Sequence, residues 1–106
     1  MAKYLVQASY SQSGTQGLLK DGGTSRREVV EKLLNGMGGK LESFYYAFGE
    51  PDLYAIVDVP DRVSMVAASL VINAAGAVAL RTTALITPEE IDQAVQKSVA
   101  YTSPGS

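Results

Sequence analysis

The chain predicts an α+β domain, a ferredoxin-like βαββαβ antiparallel sheet with its main helices on one face and a short C-terminal helix appended. Three observations predict it. Four segments alternate apolar and polar residues with period two, two longer segments carry helical periodicity, and glycine- or proline-bearing breaks separate them in the required order. At 106 residues there is room for one two-layer core and no second domain, so residues 1–100 are read as the domain and 101–106 as a tail.

Tyr4, Val6, Ala8 and Tyr10 alternate with Leu5, Gln7 and Ser9, which makes Lys3 to Tyr10 a strand. Ser11 to Gly14 breaks the pattern, and only a short helical turn is expected around Thr15 to Lys20. Asp21-Gly22-Gly23 interrupts again. Ser25-Arg26-Arg27-Glu28 has capping-box spacing ahead of Val29, Val30, Leu33, Leu34 and Met37, so the first main helix is expected to begin near Arg26. The glycines from Gly36 to Gly39 end it, and a second strand starts near Lys40.

Phe44 to Asp58 reads as a hairpin around Gly49-Glu50-Pro51-Asp52. Leu53, Ala55, Val57 and Val59 form an apolar side, while Tyr54, Ile56 and Asp58 form a mixed one. Pro60 and Asp61 close the third strand, and Asp61 or Ser64 is the expected N-cap of a helix that ends at Gly76. That helix is apolar around almost its whole circumference, which predicts burial on more than one side. Ala77 to Thr87 reads as a fourth strand. Thr87-Pro88-Glu89-Glu90 then combines an N-cap, a proline at the first helical position and a capping-box Glu.

Such a sheet leaves one face bare, here carrying Gln7, Ser9, Tyr54, Ile56, Asp58, Arg81, Thr83 and Leu85. Two copies packed face to face would cover it, giving a dimeric α+β barrel type of assembly with a cleft between sheet and helices. The expected partner is therefore a second copy of the chain, as a homodimer or higher homo-oligomer.

The sequence holds neither cysteine nor histidine. That excludes disulfides, thiolate nucleophiles, His-based dyads and the usual nitrogen and sulfur zinc sites. No cofactor and no metal site is implied. Nine basic against eleven acidic side chains give a formal charge of -2 with no basic stripe, which argues against nucleic acid. The most apolar run is interrupted by Ser69, Asn73 and Gly76, which argues against a membrane span, and the strand-like N-terminus is unlike a signal peptide, so a cytoplasmic location is expected.

Taken together, MAKYLVQASY, GLLKDGGTSRREVVEKL, GGKLESFYYAFGEPDLYAIVDVPD and TPEEIDQAVQKS resemble the GYD domain family of small bacterial proteins over almost the full chain. The resemblance implies a single ferredoxin-like domain of the dimeric α/β-barrel type with an uncharacterised activity. The family's Gly-Tyr-Asp signature corresponds to the turn at Gly49 to Asp52. Gly49 and Asp52 stand here, with Pro51 where the signature has tyrosine.

Candidate ligand-binding residues are Tyr46, Phe48, Tyr54, Asp58, Arg81 and Asn73. The aromatics could wall a pocket or supply core area; Asp58 and Arg81 could pair across a dimer; Asn73 could reach into a pocket or cap backbone. Glu50 and Asp52 could form a carboxylate pair, although turn-making explains them more simply. Ser25, Arg26 and Arg27 form a weaker anion-binding candidate at a helix start. The favoured function is a homo-oligomeric protein that binds a small molecule in the cleft. The alternative is a cofactor-independent monooxygenase or isomerase, with a protein-recruiting module ranked last. No reaction is identified by these residues.

Overall fold

A computed structural model describes residues 2–105; Met1 and Ser106, the outer ends of the expected domain and tail, lie outside the described residues. The elements run β1 (Ala2–Tyr10), α1 (Gln12–Asp21), α2 (Gly23–Gly36), β2 (Lys40–Tyr46), β3 (Leu53–Val59), α3 (Arg62–Ala75), β4 (Val78–Ala84) and α4 (Pro88–Val95). The strands form one antiparallel sheet in the order β2-β3-β1-β4. This is the α+β, ferredoxin-like arrangement the alternation predicts.

Period-two alternation decides what each strand buries. Tyr4, Val6 and Ala8 of β1 and Leu53, Ala55, Val57 and Val59 of β3 are buried on the helix side. These are the two central strands, so the core lies over them. Leu34 of α2 and Met65 of α3 complete it from above. In β2 a bulge between Leu41 and Ser43 sets the register that puts Phe44 opposite Ala55 and Tyr46 opposite Leu53.

Four sequence expectations change, three of them in helices. The stretch after Ser11 is a ten-residue helix and not a short turn, because the Ser11 side chain accepts from the Gly14 N–H and caps it. The Ser11 N–H and hydroxyl both donate to the Ala77 carbonyl, which ties that helix start to the loop before β4. Helix α2 begins at Gly23 and not near Arg26, so the Ser25 to Glu28 box is not used; Gly22 at φ 83 makes the corner and no side chain caps it. Helix α3 buries Met65 and Ala68 only, while Val63, Val66, Leu70 and Val71 face outward, so it is not covered on several sides within one chain.

The remaining caps follow expectation. The Asp61 carboxylate accepts from the Ser64 N–H at 2.7 Å, and Gly76 ends α3 in the left-handed region. Thr87 and Glu90 form the full capping box of α4, with Pro88 at its start. Strand β4 is shorter than expected, Val78–Ala84, although the Leu85 N–H still donates to the Lys3 carbonyl beyond it.

Candidate functional site

Helices α2 and α3 lie apart over the sheet, and between them runs a cleft of about 150 Å³. Small side chains make the space. Ala8 and Ala55 on the floor and Ala68 on the α3 wall are methyl groups where larger residues would close it. Val30 and Leu33 of α2 and Ile72 of α3 finish a lining that is apolar along nearly its whole length.

The α2 wall is a helical stripe, since residues 26, 29, 30 and 33 recur at spacings of three and four. Its N-terminal member is Arg26, half-buried, at a position where the stripe calls for an apolar residue. Tyr10, the last residue of β1, lines the same end of the cleft. Tyr46 stands beside them. Its hydroxyl donates to the Gly23 carbonyl at 3.0 Å, and its ring lies so close that a Cβ on Gly23 would meet it at 3.0 Å. Phe44 steadies that ring edge-on, with centroids 5.3 Å apart and planes at 84°.

Burial first, and then the neighbouring Tyr10 hydroxyl, push the Tyr46 phenol up to about 12, against the pull of Arg26 and Arg27. The ring therefore keeps its proton at any ordinary pH. The arrangement offers an apolar trough closed at one end by the Arg26 guanidinium and the Tyr10 phenol, with Tyr46 outside the lining behind Tyr10. It can seat a small apolar body and orient it by one polar head.

The other candidates fall elsewhere. Tyr54 and Arg81 share a cross-strand row on the open face, on either side of Gln7. Asp58 lies on that face too, in a different row, and its carboxylate takes Lys3 at 3.1 Å within the same chain, with Glu42 as the second partner of that ammonium. Phe48 is fully exposed beyond the end of β2. The Asn73 side-chain oxygen accepts from the Leu80 N–H at 2.8 Å and so ties α3 to β4. Arg27 pairs with Glu31 at 3.6 Å one helical turn on, and Ser25 is exposed. Of the named candidates, only Arg26 lines the cleft.

In the turn signature, Asp52 holds backbone. The Asp52 carboxylate accepts from the Tyr10 N–H at 2.8 Å, and the Asp52 N–H donates to the Ala8 carbonyl at 2.9 Å. The hairpin is thereby pinned to the end of β1 that presents Tyr10 to the cleft. Gly49 and Glu50 are exposed, with the Glu50–Pro51 peptide cis. Glu50, Pro51 and Arg81 border a shallower open-face hollow of about 210 Å³ with Gln7 and Ser9. Among the described residues no three carboxylates converge as metal ligands would, and no helix is long and apolar enough to cross a membrane.

Sequence reasoning missed Tyr10 as a site residue. Its signal was its helix-side parity at the strand end, which the alternation alone assigned to the core. No curated protein and no solved structure matches the chain. The GYD domain model matches residues 4–95, a span that runs from within β1 to the end of α4 and holds both Tyr10 and Arg26 at the polar end of the cleft. On that match the chain belongs to the GYD domain family.

Proposed function

We propose that this GYD domain protein is a cytoplasmic homo-oligomer that binds a small molecule between its sheet and its helices. The observation that carries the reading is the cleft itself, a preformed apolar trough whose few polar groups gather at one end. A core closed for stability alone gains by filling such a space, because unfilled volume forfeits packing contacts.

The homo-oligomeric half rests on apolar surface left bare by one chain. The open face presents Tyr45, 72 % exposed, next to Tyr54 in its cross-strand row, with Leu5 and Ile56 in the next row. A second copy laid on this face would cover those groups by the same patch on both partners. Native mass spectrometry of freshly purified protein tests both halves. The expected spectrum shows a defined dimer or larger species that sheds a small mass on activation. A monomer without adduct, and with no thermal shift against a small-molecule screen, would refute the reading.

A further inference from the structure

We propose that the cleft between α2 and α3 recognises small monocarboxylic acids with one ring or a branched hydrocarbon body, the carboxylate held by Arg26. The inference deepens the cleft reading and rests on it.

The two adjacent arginines have different surroundings. Arg27 turns to the outer face of α2 and pairs with Glu31. Arg26 heads the cleft-facing stripe, is half-buried, and among the described residues has no acidic partner within ion-pair distance. No Asp or Glu lines the cleft. A guanidinium partly withdrawn from water and left unpaired is unfavourable, and an arriving anion removes that penalty.

The size and chemistry of the space select the rest of the ligand. At about 150 Å³ the cleft matches the volume at which a protein cavity takes up a benzene ring. A planar guanidinium pairs a planar carboxylate through two parallel hydrogen bonds. Tyr10 flanks the head, while Ala8, Ala55 and Ala68 leave room for the body.

The test compares benzoate with benzamide, which has nearly the same shape without the charge, by isothermal titration of the wild-type protein and of Arg26→Gln. Wild type is expected to bind benzoate at least about tenfold more tightly, the ratio one charge-assisted hydrogen bond supports. In Arg26→Gln the ratio of benzoate to benzamide affinity should fall to about one. Equal affinities in wild type overturn the acid class while the cleft reading survives. Binding of neither probe overturns the acid class, and the native mass spectrum then decides the cleft reading separately. Discrimination that persists in Arg26→Gln overturns the assignment to Arg26. Should that variant fail to fold, the wild-type pair of titrations still decides the class.

Discussion

Gly14 and Gly39 are places where backbone approaches too closely for any side chain. A Cβ on Gly14 would fall 2.0 Å from the Ala77 carbonyl oxygen, and one on Gly39 would fall 2.3 Å from that of Asp58. Neither contact can be relieved by rotating a side chain. Gly14→Ala gains about 1 kcal/mol of helix propensity but must displace α1 from the β4 loop, so net destabilisation by about 1–3 kcal/mol is expected in urea unfolding. Gly17, in the same helix with open space around it, is the control: Gly17→Ala should stabilise by about 0.5–1 kcal/mol. The Asp58 carboxylate, 4 % exposed, depends on Lys3. Lys3→Met should therefore lower stability by about 1–3 kcal/mol, and Asp58→Asn in the same chain should restore part of the loss. The reverse dependence is weaker, because the Lys3 ammonium reaches solvent and is held above its ordinary pKa by Glu42 first and Asp58 second.

Helix α4 shows how an element can be specified locally and still lack packing. Its capping box, its Pro88 and its acidic first turn are all formed, yet none of its residues is buried. Eight residues are too few for an isolated helix to be stable in water. The hydrogen bonds from Thr87 hold the Glu90 carboxyl below its ordinary value of 4.5. A depressed carboxylate pKa stabilises the form present above the unfolded value, so this contribution is complete above about pH 4.5 and is lost as pH falls through the lower folded value. Amide chemical shifts across α4 should move toward coil on acidification below that point, and in Glu90→Gln the α4 response should shrink. Helix α3 is the complementary case. Its stripe Met65, Ala68 and Ile72 meets the sheet side, and its remaining apolar residues face outward, which is surplus for one chain.

At the scale of the molecule the same surplus shows as shape. The radius of gyration is 17.2 Å, against about 13 Å for a compact domain of this length. The difference is the arm. Residues 88–105 are exposed throughout and carry Ile91, Val95, Val99 and Tyr101 as a line of apolar groups. Ending the chain after Leu85 should leave the far-ultraviolet signal of the sheet intact. In light scattering it should lower the subunit count, because a second copy is the proposed cover for this arm as for the open face. An unchanged count would remove the arm from the assembly.

Fold class, strand faces and most caps were legible in the residues, because period-two alternation and the Asp61, Gly76 and Thr87-Pro88 signals act through neighbours in sequence. The start of α2 was not. Ser25 to Glu28 satisfies the capping rule, but the Gly22 corner and the Tyr46 ring seated on Gly23 draw the helix start back to Gly23, a contact spanning 23 positions. The site divides in the same way. Arg26 could be named as a candidate from its residue type, whereas its sharing a cleft with Tyr10 depends on how α2 lies over the sheet, whose hairpin Asp52 pins to the end of β1. Within one chain Asp58 pairs with Lys3, its neighbour on β1, because β1 lies between its strand and that of Arg81, a neighbour relation set by the whole sheet. Local pattern decides what each segment becomes; only long-range pairing decides which side chains share a cleft.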